Sequence, residues 1–478
     1  MECKRPDMRK TKLVITMGPA LADGSKLLEV MREADAVRLN ASHGDPEART
    51  GVLARVRATA AELGRDVPVF LDLQGPKWRV GALVEPVELA EGSEGLFVAP
   101  DAPAPAAAGW SVPLPHPELF EGAREGQRWV LDDGALEVEI LEARPALLRA
   151  RVVVGGLLKA RKGVHPIGLE LNVAPLTDKD LADIRWGVAH GVDLFAQSFV
   201  RRRADVELLH LRIREAGGSQ PVIAKIEHPQ ALANLEEILE VSWGVMVARG
   251  DLGVELGVER VPSLQKKIIR AARRALKPVI TATQMLESMI ENASPTRAEA
   301  SDVANAIWDG TDAVMLSAES AAGKYPVEAV HWLARIASEA DAHMQGAALK
   351  RDLGETAKGR TDISVAFAAC RAAEDLGARW IVAFTEGGGS ARMVSRLAGQ
   401  TPVLGATTDE ATARRMALLR GVTSLIIPRV QSTDDMVEAV RELLLAKHEL
   451  MAGDHVVMTM GLPLWKSGST NTMKVMTF

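Results

Sequence analysis

Residues 222–251 read VIAKIEHPQALANLEEILEVSWGVMVARGD, with two short apolar runs, Val222–Ile226 and Val245–Ala248, separated by a helical segment. The first run ends in charge, with Lys225 and Glu227 two residues apart; the second leads directly to Gly250 and Asp251. Working outward, the same run–polar cluster–helix pattern recurs at Leu13–Met17, Ala36–Leu39, Val67–Leu71, Leu194–Phe199, Val279–Thr283 and Ala313–Leu316. Continuous apolar strands separated by helices indicate a parallel sheet buried on both faces. Eight such strands favour a (β/α)8 TIM barrel over an open doubly wound sheet.

The interval between the third and fourth runs is too long for one crossover helix. Within it Leu136, Val138 and Ile140 alternate with Glu137 and Glu139, the period of half-exposed antiparallel strands. Asp132-Asp133-Gly134 supplies a turn, and Pro100–Pro117 reads as an irregular loop. A small β domain over 81–166 is therefore expected between barrel segments 1–80 and 167–345. Residues 346–478 form a further α/β region, with strands expected at Trp380–Phe384, Pro402–Leu404, Ser424–Ile427, His455–Met460 and Met473–Phe478.

Composition narrows the function classes. The 478 residues are 47% hydrophobic and 25% charged, which excludes a disordered, collagen-like or coiled-coil chain. A net charge of −6 gives no electrostatic reason to expect a nucleic-acid partner. Cys3 and Cys370 are the 2 cysteines, too few for a disulfide framework, which fits a reducing compartment. No membrane span is expected, and the basic N-terminus followed by Leu13–Met17 reads as a strand ending at Gly18-Pro19 rather than as a signal peptide. A cytoplasmic protein is expected.

Active sites of such barrels lie at the C-terminal strand ends. Those ends carry Arg38, Asn40 and Ser42, then Asp72, Ser198, Lys225 with Glu227, Gly250-Asp251, Thr283-Gln284, and Ser317 with Glu319. Any one of these fits a solvated loop; together they exceed what a purely structural barrel needs. Lys225 and Glu227 point to the same side of an extended strand. They make either an ion pair or, with Asp251, a site for a hard divalent cation such as Mg²⁺, which takes one or two carboxylates and keeps other positions for substrate and water.

The strings KLVITMGPA (12–20), VRLNASHG (37–44), LDLQGPKWRVG (71–81), AKIE (224–227), MVARGDLG (246–253), TATQMLESMIE (281–291), PTRAEASDVAN (295–305) and MLSAESAAGKYP (315–326) resemble the pyruvate kinase family, in its order and across essentially the whole chain. The resemblance implies a barrel with an inserted small β-barrel lid and a C-terminal α/β regulatory domain. It also implies phosphoryl transfer from phosphoenolpyruvate to ADP in glycolysis, giving pyruvate and ATP. Carried over by position, Glu227 and Asp251 hold Mg²⁺, with Mn²⁺ as a possible substitute, and a second Mg²⁺ arrives with the nucleotide. Lys225 and Arg38 act on the phosphoryl group with Arg79 beside them. Gly250 and Asp251 offer backbone N–H groups to the substrate carboxylate. Thr283 lies near the protonated enolate face, and Ser317 and Glu319 stand in a possible proton relay.

Asn40, Ser42, Asp72 and Leu73 correspond to the family's monovalent-cation region. Many members have Thr-Lys-Gly-Pro-Glu after the equivalent of Asp72. Here Leu73-Gln74-Gly75-Pro76-Lys77 resembles the potassium-independent subgroup, with the Lys77 ammonium as a tethered cation and no potassium requirement. The plain alternative is an exposed loop lysine. Pro19, Arg38, His43 and Lys162 correspond to the nucleotide side. Asp132-Asp133-Gly134 and Arg161-Lys162-Gly163 fit a lid over the nucleotide phosphates, although each is also an ordinary turn or basic loop. Thr385 and Ser390, in a Gly-rich turn feeding a helix, with Trp465 and Lys466 in a facing loop, are candidates for a sugar-phosphate effector site. A homotetramer is implied. Two other readings remain: a carbon–carbon lyase of the phosphoenolpyruvate and pyruvate barrel superfamily, and a catalytically silent metabolite sensor.

Overall fold

The computed structural model describes residues 9–100, 102, 109–169, 174–344, 359–446, 449–464, 468 and 470–478, the Asp133 side chain excepted. Eight parallel strands close into a barrel: Lys12–Thr16, Ala36–Asn40, Val69–Asp72, Leu194–Gln197, Val222–Ile226, Gly244–Ala248, Val279–Ala282 and Ala313–Met315, numbered first to eighth below. The first and eighth pair directly, Lys12 opposite Ala313, which leaves no free sheet edge. Of the eight expected runs only Val222–Ile226 keeps both ends; five shift by one residue at one or both ends and two, the third and fourth, by two at one end. The third strand begins after Pro68, which has no N–H for the ladder, and the fourth stops before Phe199, whose φ of +55° leaves the extended region.

Strand alternation sorts the apolar side chains into two layers. Val14, Ala36, Phe70, Ile223, Met246 and Ile280 pack with one another inside the ring. Their neighbours Leu13, Val37, Leu71 and Val222 pack outward with the helices. The same parity carries Arg38, Asp72, Lys225 and Glu227 inward at the barrel's C-terminal mouth. A one-residue register change would reverse all four.

Between the third and fourth strands lies the inserted β unit. Its six-stranded sheet runs Val164–Pro166, Arg128–Leu131, Leu136–Arg144, Leu147–Val154, Glu94–Val98 and Ser111–Pro113, and Val87–Leu89 pairs separately with Gly156–Leu158. The expected loop over Pro100–Pro117 thus contains an edge strand, Ser111–Pro113, a position that tolerates proline. Phe97, Trp110 and Trp129 form its aromatic centre, with Phe97 and Trp110 edge-to-face at 5.4 Å.

The C-terminal unit is a five-stranded sheet in the order Val422–Ile426, Val403–Thr407, Trp380–Phe384, His455–Gly461 and Thr470–Thr477, all parallel except the last. Leu418 of this unit packs into the interior barrel cluster. The two units are joined by buried charge: Arg396 on Asp312, Arg420 on Asp341, Arg414 on Asp193 at 2.7 Å, and the Lys12 ammonium on the Val422 carbonyl at 2.8 Å. No helix among the described residues is long and apolar enough to cross a membrane.

One close approach braces the mouth. Gly18 sits where a Cβ would come within 2.3 Å of the Ala321 carbonyl oxygen, a backbone atom with little freedom to yield. Gly18→Ala is expected to lower stability by about 1–3 kcal/mol in urea unfolding, in the range of overpacking effects. Unchanged stability would show that the helix around Ala321 yields freely.

Candidate active site

Four charged groups from neighbouring strands meet at the barrel mouth. The Lys225 ammonium lies 2.8 Å from Glu227 Oε1 and 3.4 Å from Asp72 Oδ1, and donates to Ser198 Oγ at 2.7 Å. Ser198 in turn donates to the Leu73 carbonyl. Arg38 grips Asp72 Oδ2 through Nε and Nη2, each at 2.7 Å, and reaches Thr16 Oγ1 with Nη1 at 3.2 Å. Glu227 is nearly inaccessible, and its Oε2 accepts the Phe199 N–H at 2.9 Å.

The electrostatics favour cations here. Burial opposes the charged form of Lys225, but Asp72, Glu227 and Asp251 outweigh it and hold its pKa above the usual lysine value. Burial likewise opposes the Asp72 carboxylate, yet Lys225 and Arg38 hold its pKa below the ordinary range. Glu227 is pushed up by burial and, against the pull of Lys225, by the facing Asp251 carboxylate.

Asp251 lies in the first turn of the helix Arg249–Leu256, which follows the sixth strand, and keeps a quarter of its side chain exposed. The Gly250 N–H donates to Thr283 Oγ1 at 2.9 Å, and that hydroxyl donates to the Ala282 carbonyl. Thr283 and Gln284 have φ of +67° and +52°, costly for a β-branched residue and held here by long-range contacts. The holder is Arg249, buried, whose guanidinium donates to the carbonyls of both and pairs with Asp302 at 2.6 Å. Arg249 and Thr16 were missed as site supports in the sequence. The MVARGDLG string contains Arg249, but nothing local shows that its partners lie more than 30 residues away.

The carboxylate pair passes a test for a divalent ion. Glu227 Oε1 is buried without a well-aligned hydrogen bond, despite facing the Lys225 ammonium. Glu227 and Asp251 also repel each other, a strain that a cation between them removes. Among the described residues no three His, Cys, Asp or Glu side chains converge into a closed metal cage. An open two-carboxylate site suits Mg²⁺ better than Zn²⁺ or Ca²⁺.

The remaining sequence-derived residues are placed as follows. Glu319 is buried, accepting the Ser317 N–H at 2.7 Å and the Leu286 N–H at 3.1 Å, and Ser317 Oγ is buried without a partner. Asn40 Oδ1 accepts the Ser42 N–H at 3.0 Å, a local turn. Lys77 sends its ammonium to Asp251 Oδ1 at 3.5 Å, not to Asn40 or Ser42. Arg79 donates to the Arg161 carbonyl of the inserted unit at 2.9 Å. Pro19 opens a short 3₁₀ turn, His43 is exposed, and Lys162 pairs with Asp132 at 2.7 Å.

In the C-terminal unit, Gly388, at φ +84°, caps the helix Gly389–Leu397. A cavity of about 340 Å³ opens there beside Thr385, Glu386, Ser390, Arg360 and Arg392. Ser390 Oγ lies 2.6 Å from Thr470 Oγ1, and Glu386 pairs with Arg429 across 3.3 Å. Trp465 and Lys466 lie outside the described residues.

A closed (β/α)8 barrel with a lysine, an arginine and paired carboxylates at its mouth, an inserted β unit and a C-terminal α/β unit defines a class of enzyme that acts on small anionic substrates. The family model of the pyruvate kinase barrel domain matches residues 8–330, and that of the pyruvate kinase alpha/beta domain matches residues 363–476. The pyruvate kinase of Geobacillus stearothermophilus is 41% identical over 98% of this chain and 80% of its own length. That of Corynebacterium glutamicum is 41% identical over 98% and 97%, and that of Mycobacterium tuberculosis 40% over 98% of each. The chain belongs to the pyruvate kinase family.

Proposed function

We propose that this enzyme transfers the phosphoryl group of phosphoenolpyruvate to ADP in glycolysis, with Mg²⁺ and without a potassium requirement. The observation that carries the reading is the Lys225 ammonium, buried between Asp72 and Glu227 on the inward face of the fifth strand, with Asp251 presented from the sixth. Phosphoryl transfer asks for positioning and charge neutralisation more than covalent chemistry. Lys225 stabilises the transferring group as charge spreads over its oxygens, and Arg38, anchored by Asp72, grips the same phosphate. Glu227 and Asp251 would hold the Mg²⁺, which would supply positive charge to neutralise the anionic substrate. At the start of the helix Arg249–Leu256 the Asp251 N–H receives the substrate carboxylate, and the Gly250 N–H joins it by exchanging its bond to Thr283 Oγ1. Thr283 lines the enolate face, and Ser317 and Glu319 serve a proton path through water.

Arg79 adds positive charge beside the phosphoryl group, and the inserted unit, residues 81–166, closes over ADP with Lys162 toward the nucleotide phosphates. Closure keeps water from competing for the phosphoryl group. Pro19 and His43 line the nucleotide side. Residues 346–478 bind a phosphorylated effector at Thr385 and Ser390, and the enzyme works as a cytoplasmic homotetramer. Lys77 supplies the monovalent charge that potassium gives other members.

The test is pyruvate formation from phosphoenolpyruvate, ADP and Mg²⁺ in buffer stripped of potassium and ammonium, repeated with potassium. Equal, substantial rates are expected. No pyruvate in either buffer, but pyruvate release from a C4 acid, would favour the lyase. Lys77→Glu is expected to make the rate depend on added potassium, and indifference to potassium in that variant would remove the role given to Lys77.

A further inference from the structure

We propose that Arg392 is the anion-binding residue of the C-terminal cavity, and that a phosphate monoester there supplies the counter-charge that the buried seam between barrel and C-terminal unit lacks. The inference rests on the reading of Thr385 and Ser390 as an effector site, and adds the side chain that recognises the phosphate and what its binding does. The cavity, about 340 Å³, is at the small end of ligand pockets, which suits a phosphorylated metabolite. Two carboxylates line it, and each has a cation of its own: Asp362 meets Arg360 at 2.6 Å, and Glu386 meets Arg429 at 3.3 Å. Arg392 lines it too, half-buried, and among the described residues nothing accepts a hydrogen bond from its guanidinium. A guanidinium with unused donors on the wall of a cavity is a receptor for phosphate oxygens.

The charges behind Arg392 make the same demand. Its charged neighbours are Arg396, Lys277 and Asp312, so that three cations, Arg392 included, share one carboxylate. That carboxylate is committed. Asp312 Oδ2 accepts from Arg396 Nη2 and from the Val279 N–H at 2.8 Å, and Oδ1 from the Arg420 N–H at 3.3 Å. Lys277 gives its ammonium to the Ser242 carbonyl at 2.7 Å and the Glu240 carbonyl at 3.3 Å, neutral groups that cancel no charge. Burial and Arg396 hold the pKa of Arg392 below the usual arginine value, and burial and Arg392 bring Lys277 down to about 8. At neutral pH both cations therefore weigh against the fold. A neutral side chain at position 392 removes one repulsion, and an anion beside Arg392 offsets it.

One wall of the cavity belongs to the barrel. Leu276 lines it, the Lys277 carbonyl accepts Arg396 Nη2 at 2.6 Å, and the Pro278 carbonyl accepts the Val245 N–H at 2.9 Å. Val279 then opens the seventh strand. A ligand on Arg392 thus bears on the roots of the sixth and seventh strands, whose mouth ends lead to Gly250-Asp251 and Thr283.

The experiment is thermal unfolding of the full chain in inorganic phosphate and in sodium chloride of equal ionic strength. In chloride, Arg392→Gln and Arg392→Met, the second keeping the apolar stem, are expected to melt about 2 °C above the unaltered protein, the scale of removing one partly buried like charge. Phosphate is expected to raise the melting temperature of the unaltered protein and of Arg392→Lys, and to raise that of the two neutral variants distinctly less. A phosphate shift that Ser390→Ala loses but Arg392→Gln keeps would overturn the role of Arg392 and leave the effector reading standing. A shift that both keep would place the phosphate elsewhere, the barrel mouth included, and overturn the two together, as would no shift in the unaltered protein. If both neutral variants melt lower in chloride, the seam is balanced as it stands and the counter-charge is overturned.

Discussion

Replacing Lys225 with methionine is expected to lower kcat for pyruvate formation about a hundredfold or more while leaving the barrel folded. The magnitude follows from removing one preorganised cation aimed at developing negative charge, an effect of about 10²–10³ in rate. Methionine nearly matches the stem in volume, so the cost in packing is small. The cost in charge is contained as well. Asp72 keeps both bonds from Arg38, and Glu227 keeps the Phe199 N–H. Without the ammonium, burial and the facing Asp251 raise the pKa of Glu227 further, and that carboxyl takes up a proton more readily. The measurement is steady-state kinetics beside far-ultraviolet circular dichroism and a melting curve. A folded variant with near-unaltered kcat would remove Lys225 from the chemistry. An unfolded one would show the ammonium to be structural, and Lys225→Arg would then separate charge from shape.

The barrel was legible because parallel strands buried on both faces must be apolar throughout, and few other elements leave that trace. The inward set at the mouth was legible for a related reason. Lys225 and Glu227 are separated by one strand period, so two charges ending an apolar run declare their common side without any tertiary knowledge. What could not be read is whatever depends on a partner far along the chain. Arg249 supports Thr283 and Gln284 in a left-handed conformation that no local propensity favours, and Thr16 meets Arg38 only because the first and second strands are paired. Lys77 shows the same limit, because its neighbour Asp251 comes from the other side of the barrel opening. Ser111–Pro113 looked like loop because a three-residue edge strand among alanines and prolines carries almost no periodic signal.

Breaking the Arg396–Asp312 pair is expected to be the costliest single change outside the active site, about 3–5 kcal/mol in urea unfolding. Both side chains are almost wholly buried, and Arg396 Nη2 meets Asp312 Oδ2 at 2.5 Å and the Lys277 carbonyl at 2.6 Å. Asp312 Oδ2 also accepts the Val279 N–H, which fixes the start of the seventh strand, four residues before Thr283. Arg396→Met leaves a carboxylate in a dry interface with only backbone donors, whereas Asp312→Asn leaves a guanidinium there, close to Arg392. Each single change strands a charge, but the double variant strands none. Its loss is therefore expected to be smaller than the sum of the two singles, with a coupling energy of about 2 kcal/mol or more. If the singles cost under about 1 kcal/mol and simply add, solvent reaches the pair, and the join between barrel and C-terminal unit rests on Leu418 and the apolar contacts beneath the ring.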